Sequence, residues 1–458
     1  MNEKRTDVKL GFGKQLGFAL GETAGQLFFG YWGTFLSIFY TEVVGIMPMA
    51  VSIIFIVARI WDAVNDPIMG NIADRHRHKK YGRYRPWILY GTPVLAILGI
   101  LVWYVPKTDS QTIKIAYVAI TYILAGMAFT AVNVPYMSLQ STLTTDPKSR
   151  SDLANLKGAF TFVGTAIINM FTAGLVAKLA PVDSYGQGYF LTTVIFTIIA
   201  VAMYYITFLT TKEVYIAEDA QSKASFKETI AYVFGNKPIL AIMFGLLFSM
   251  LATFGRLGVA VYYYLYDSHA YEMVGVLMVL PTLFAILPTY LVPKINLERK
   301  KLIIIAFLGR AVALGALYFV DFANIKAVMV CLILVGLFNY ETGMMSALIA
   351  PAIDDAEVKG GKRMDGTVFA MVNLFAKVAS AVGGSIGLLV MGAMGYVANA
   401  EQTATAMNGI NIAANVLPAA FCLIAILPIA LYSLDSEKIQ ENTRILAERH
   451  SDSEKDNT

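Results

Sequence analysis

The sequence predicts an all-α integral membrane protein of twelve transmembrane helices arranged as six plus six, and three observations carry that prediction. Hydrophobic residues make up 57% of the 458 positions and charged residues only 15%. Mean hydropathy is +0.60, far outside the range of soluble domains. Apolar runs long enough to cross a bilayer, about 20 residues each, recur along the whole chain. The basic residues collect in alternate loops.

The expected spans, taken in order, are 15–41, 47–72, 86–106, 113–142, 153–178, 188–211, 238–266, 272–293, 302–321, 325–353, 367–396 and 404–433. The first of them contains Glu22 and Gln26 and lacks a small-residue cleavage site, so it reads as a span and not a signal peptide. One set of loops carries Lys4, Arg5, Arg75, Arg77, Lys79, Lys80, Arg83, Arg85, Lys148, Arg150, Lys212, Lys223, Arg299, Lys300, Lys301, Lys359, Lys362 and Arg363. The opposite set carries little beyond Lys107, Lys114, Lys178 and Lys326. By the positive-inside rule both termini lie in the cytoplasm of a plasma (inner) membrane protein, which requires an even number of spans. The longest polar interruption gives the expected organisation: a first half at 1–211, a cytoplasmic middle loop at 212–237, a second half at 238–434 and a charged cytoplasmic tail at 435–458. The basic turn Asp74–Arg85 has a weak counterpart at Asn296–Lys301.

Composition also excludes classes. The net charge of +4 is spread over short loops and describes topology, so no nucleic-acid partner is expected. Cys331 and Cys422 both fall in apolar segments, which argues against a disulfide framework or a thiolate metal site. There is no Walker-A run and no H-E-x-x-H, and Gly383-Gly-Ser385-Ile-Gly387 lies in an apolar helical run and not in the strand-turn-helix that a nucleophile elbow needs. An enzyme and a resident cofactor are therefore not expected.

The second span departs from its apolar surroundings at Arg59-Ile-Trp-Asp62-Ala-Val-Asn65-Asp66-Pro67-Ile-Met-Gly70. A charge at mid-membrane costs about 2.5–3.5 kcal/mol on insertion scales, so such groups face a protein interior, a partner or an ion path. Spacings of three and four put Arg59, Asp62, Asn65 and Asp66 on one helical face. One cation faces two carboxylates, leaving about one negative charge for a metal ion or a proton to satisfy. The competing reading is a helix-packing pair between Arg59 and one aspartate, with the other aspartate in water at the cytoplasmic edge.

These residues, together with Phe39-Tyr-Thr-Glu-Val-Val-Gly45, Gly82-Arg-Tyr-Arg-Pro-Trp87, Asn133-Val-Pro-Tyr-Met-Ser-Leu139, Arg256 ahead of Tyr262-Tyr-Tyr264, and the loop Asp354–Gly366, resemble the glycoside-pentoside-hexuronide cation symporters over nearly the whole chain. The resemblance implies the major facilitator fold and cation-coupled sugar symport by alternating access. It places the cation site on Asp62, Asn65, Asp66 and Thr130. These are oxygen donors suited to a hard ion, so Na⁺ is expected in preference to H⁺, with a metal position at Asp62 and Asp66. The sugar positions fall on Glu22, Gln26, Asn133, Met137, Lys157, Arg256, Asn373 and Lys377. Melibiose-type members carry aspartates where this chain has Gln26 and Asn133, and a tryptophan where it has Met137. A neutral β-glycoside, a pentoside or a glucuronide is therefore expected before an α-galactoside. The aromatic partner of the sugar is sought among Tyr31, Trp32, Phe129, Tyr136 and Tyr264.

Lys377 lies about 16 Å into the eleventh span counted from Gly366, too deep to snorkel, and is expected to face the cavity. Asp74, Arg75, Arg83, Arg85, Asp354, Asp355, Lys362 and Arg363 are expected to form cytoplasmic contacts that break and re-form in the transport cycle. Glu22 and Arg256 match family positions, whereas Arg310 and Glu341 receive no role. The expected partners are a small glycoside or uronide and the lipid bilayer, with a monomer as the default state. A sugar sensor without net transport is the alternative, separable by the absence of uptake or counterflow.

Overall fold

The computed structural model describes residues 9–455 except 105, 145, 182–184, 215–225, 269–270, 322–323 and 361–363. Among the described residues the chain is helical throughout, and the only β pairing is a bridge between His78 and Gly82. The helices are α1 Phe12–Ile38, α2 Pro48–Arg75, α3 Arg85–Leu101, α4 Gln111–Thr142, α5 Pro147–Leu179, α6 Tyr185–Thr210, α7 Phe226–Gly235, α8 Lys237–Ser268, α9 Tyr271–Leu291, α10 Arg299–Phe319, α11 Ile325–Leu337, α12 Glu341–Ser346, α13 Ile349–Gly360, α14 Asp365–Ala393, α15 Ala404–Asn411, α16 Leu417–Ala430 and α17 Ser436–Lys455.

Among the described residues, ten helical stretches are long and apolar enough to cross a membrane. Beside them, the segments expected as spans one and three are the helices α1, of 27 residues, and α3, of 17. Local chemistry explains several boundaries. Proline at the first helical position starts α2 and α5, and Pro86 takes the second position of α3. The Asp146 carboxylate accepts from the Ser149 N–H at 2.9 Å, so α5 begins at Pro147, earlier than the expected 153. The expected tenth span is interrupted: α11 ends at Leu337, and Phe338 and Tyr340 leave helical geometry before α12 resumes at Glu341.

On α2 the exposed residues Ile53, Val57, Ile60, Trp61, Val64, Ile68 and Ile72 form an apolar stripe at helical spacing. The stripe faces away from Arg59, Asp62 and Asp66, as a helix needs when one side meets lipid and the other meets protein.

The chain divides into two compact units. One comprises 1–220, 257–282 and 384–410; the other comprises 221–256, 283–383 and 411–458. Segments of the second chain-order half therefore belong to the first unit, and hydrogen bonds tie them in. Ser37 Oγ donates to the Gly258 carbonyl at 2.8 Å, and Thr41 pairs with the Tyr262 hydroxyl at 2.8 Å. The Glu42 carboxylate accepts from the Tyr266 hydroxyl at 2.7 Å and from the Asn399 N–H at 2.9 Å. In the second unit the tail folds as α17, and its buried Asn442 donates to Asp355 on α13 at 3.1 Å. The tail helix is thus anchored at Asn442, which supplies the buried Asp355 carboxylate with a donor.

Candidate functional site

Three successive positions of α4, four residues apart, meet the charged face of α2. The Tyr122 hydroxyl lies 3.3 Å from Arg59 Nη2 and Thr130 Oγ1 donates to Asp66 Oδ1 at 2.8 Å. Between them, a Cβ on Gly126 would stand 3.2 Å from Asp62 Oδ1, so glycine leaves room for the carboxylate. Arg59 Nη1 pairs with Asp62 Oδ2 at 3.2 Å, the two side chains being 14% and 19% exposed. Arg59 also sits 4.4 Å from the centroid of the Phe29 ring. Both aspartates are half-buried on the side of α2 opposite its exposed apolar stripe. Asn65 is half-buried, and its side chain makes no hydrogen bond among the described residues. The cluster offers two carboxylates and a hydroxyl, hard oxygen ligands of the kind an alkali cation or a proton takes.

A second cluster follows on α1, where Glu22, Gln26 and Phe29 recur at spacings of four and three. Glu22 pairs with Lys157 at 3.6 Å and accepts from Thr161 Oγ1 at 3.2 Å. Gln26 packs against Gly164 and lies beneath Gly30, where a Cβ would approach its side chain to 2.6 and 2.8 Å respectively. Asn133 and Met137 are one turn apart on α4, with Asn133 Nδ2 3.7 Å from the Met137 sulfur and Met137 exposed. Of the five aromatic candidates, Tyr31, Trp32, Tyr136 and Tyr264 are fully packed, so their faces are spent on protein. Phe129 is half-buried and stacks on Phe29 at 5.2 Å and 20°. Phe29 escaped the sequence reading, although its place one turn after Gln26 was a signal.

Arg256, buried on α8, and Lys377, half-buried on α14, belong to the second unit. The Asn373 side chain lies outside the described residues, as do Lys362 and Arg363. Arg310 and Glu341, unassigned from sequence, form an ion pair at 2.6 Å in the second unit, 3% and 0% exposed. Thr253, Asn339 and Ser249 complete it at 2.9, 3.2 and 3.0 Å.

The loop charges of the first unit are organised by Glu213, a residue the sequence reading missed. Its carboxylate accepts the N–H groups of Arg83, Tyr84 and Arg85 at 2.8, 2.8 and 3.1 Å, at the N-terminus of α3 where anions are favoured. The Tyr84 hydroxyl donates to Asp74 at 2.7 Å, while Arg85 donates to the Phe208 carbonyl at 2.7 Å and covers the Phe208 ring. Burial, reinforced by Asp74, pushes the Tyr84 pKa up to about 12, so this donor keeps its proton at neutral pH. Arg75 is exposed. Asp355, buried, is held by Lys359 at 2.6 Å as well as by Asn442, and Asp354 is half-buried beside it. Glu213→Ala removes three charge-assisted bonds, each worth about 1.5–3 kcal/mol when fully formed. Faster tryptic cleavage after Arg83 than in the wild type is the expected result, Arg85 being shielded by Pro86; an unchanged rate contradicts this role.

The sequence profile described as "MFS/sugar transport protein" matches residues 17–436. The chain is 32% identical to the "Uncharacterized symporter YnaJ" of Bacillus subtilis (strain 168), with 96% of each protein covered. It is 27% identical to the "Glucuronide carrier protein homolog" of Escherichia coli (strain K12), with 93% of each covered. Among solved structures, a bacterial homolog of the human lysosomal transporter Spinster, in its inward-facing and unoccupied conformation, aligns with a TM-score of 0.67 at 12% identity, covering 94% of this chain and 97% of that one. That likeness shows the fold alone. The chain belongs to the MFS/sugar transport protein family: it is a multi-pass membrane transporter of the major facilitator fold, not an enzyme.

Proposed function

We propose that this chain is a secondary symporter that couples inward movement of a neutral β-glycoside or pentoside to Na⁺, with both termini cytoplasmic, a single chain as the working unit, and alternating access as the mechanism. The observation that carries the reading is the match of Tyr122, Gly126 and Thr130 on α4 to Arg59, Asp62 and Asp66 on α2. Such a match keeps two carboxylates at membrane depth without neutralising both of them. Na⁺ at Asp62, Asp66 and Thr130, with Asn65 as a neighbouring amide, supplies the missing positive charge. In the first unit Glu22 cancels the charge of Lys157, and the remaining polar groups, Gln26 and Asn133, are neutral amides. Neutral amides suit uncharged hydroxyls, to which they can both donate and accept.

A glucuronide is the second reading, favoured by the glucuronide carrier homolog and by Arg256 and Lys377 in the second unit. The test is thermal stabilisation of the purified protein by methyl β-D-xyloside, methyl β-D-glucuronide and melibiose, each in sodium and in potassium chloride. A ligand at about 100 times its dissociation constant adds roughly 2.7 kcal/mol. Stabilisation by the xyloside that strengthens in sodium is the expected result. Stabilisation by the glucuronide alone transfers the assignment to uronides, and equal effects in both salts remove Na⁺ as the coupling ion. A sugar that stabilises the protein but is neither taken up nor exchanged by vesicles makes it a sensor.

A further inference from the structure

Arg59 touches both the cation cluster and the aromatic stack. Its guanidinium is paired with Asp62 at 3.2 Å and Tyr122 at 3.3 Å, and lies 4.4 Å from the centroid of Phe29. Phe29 stacks on Phe129, which immediately precedes Thr130, the donor to Asp66. Phe29 also follows Gln26 by three residues on α1, and Asn133 follows Phe129 by four on α4, so each ring shares a helical face with an amide. A cation entering at Asp62 and Asp66 repels Arg59 and competes with it for Asp62. Arg59 then shifts toward or away from the ring it covers, and the attraction between guanidinium and ring, set by geometry, changes with it.

We propose that Phe29 is a positioning residue that transmits cation occupancy at Asp62 and Asp66, through Arg59, to the sugar-facing amides Gln26 and Asn133. The inference rests on the symport reading above and adds the path by which the two cargoes sense each other. Linkage makes the effect reciprocal: whatever factor Na⁺ adds to sugar affinity, sugar adds to Na⁺ affinity. Leucine at position 29 keeps apolar bulk and removes the π face, whereas tyrosine keeps both.

The test compares wild type, Phe29→Leu and Phe29→Tyr, all checked for an unchanged unfolding midpoint. Calorimetric titration with methyl β-D-xyloside and with methyl β-D-glucuronide, in sodium and in potassium chloride, gives the ratio of affinities in the two salts. A coupled wild type shows a ratio of about five- to 150-fold. Phe29→Leu is expected to bring that ratio toward one while its potassium affinity stays at the wild-type value, and Phe29→Tyr is expected to restore it. A second arm uses Na⁺ alone. Trp32 stands edge-on to Phe129 at 6.2 Å and 63°, so its emission reports on the stack. A Na⁺-dependent emission change that vanishes in Trp32→Phe, and in Phe29→Leu even though Na⁺ still raises that variant's unfolding midpoint, supports the path. A wild-type salt ratio or a wild-type Trp32 response in Phe29→Leu overturns it, and so does equal loss of sugar affinity in both salts, which makes Phe29 a plain contact. If the wild type binds neither sugar, the sugar assignment fails, and the Na⁺ arm alone decides for or against the path.

Discussion

Replacement of Asp62 or of Asp66 by cysteine is expected to abolish concentrative sugar uptake while leaving sugar exchange across the membrane intact. The expectation follows from the charge balance on α2. Asp62 is paired with Arg59, and Asp66 accepts from Thr130, so the cluster retains negative charge only while both carboxylates are present. Removing either leaves one carboxylate against Arg59, and an entering cation then meets no net attraction. A unit charge about 4 Å away is worth about 4 kcal/mol at an effective dielectric of 20, or roughly a thousandfold in ion affinity. Gln26 and Asn133, the residues proposed to meet the sugar, lie on α1 and α4 and keep their side chains in both variants, so counterflow should persist. Sugar accumulation by either variant at the wild-type level contradicts the cation assignment.

The largest effect on stability is expected at the pair between Arg310 and Glu341. The two groups lie at 2.6 Å with almost no solvent contact, and Arg310, on α10, holds both Glu341 and Asn339 at the place where the expected tenth span loses its helix. Breaking a buried pair by removing one partner costs about 3–5 kcal/mol, because the survivor is left as an uncompensated charge. Arg310→Met and Glu341→Gln should each lower the unfolding midpoint in detergent substantially. The double variant Arg310→Met with Glu341→Leu should recover much of the loss, since apolar replacement of both partners is often close to neutral. A double variant as unstable as the sum of the two singles means that the groups act separately and that the pair does not bind the break together.

What the sequence revealed, and what it hid, follows from the range of the interactions involved. Membrane class and helical content were legible because bilayer thickness imposes itself on every span. The charged face of α2 was legible because Arg59, Asp62 and Asp66 obey one helix's periodicity. Tyr122, Gly126 and Phe29 were not, since their roles depend on the registry between helices, and an aromatic or a glycine in an apolar run looks like packing. Glu213 was missed for a related reason: a carboxylate after the sixth span gives no hint that it caps the N–H groups of Arg83, Tyr84 and Arg85. The break ahead of Glu341 was invisible as well, because neither proline nor glycine occupies 338–340. Tyr31, Trp32, Tyr136 and Tyr264 show the opposite error, in which aromatics chosen for a ligand prove to be spent on the protein's own packing.

The central claim, that Asp62 and Asp66 bind an ion that moves with the sugar, is tested most directly in proteoliposomes without an initial ion gradient. A concentration step of the sugar that stabilises the protein is applied outside while internal Na⁺ and internal pH are followed together. The account predicts that Na⁺ enters with the sugar at steady internal pH, and that Asp62→Cys and Asp66→Cys abolish this entry. Internal acidification without Na⁺ entry, or sugar entry that moves neither ion, contradicts it.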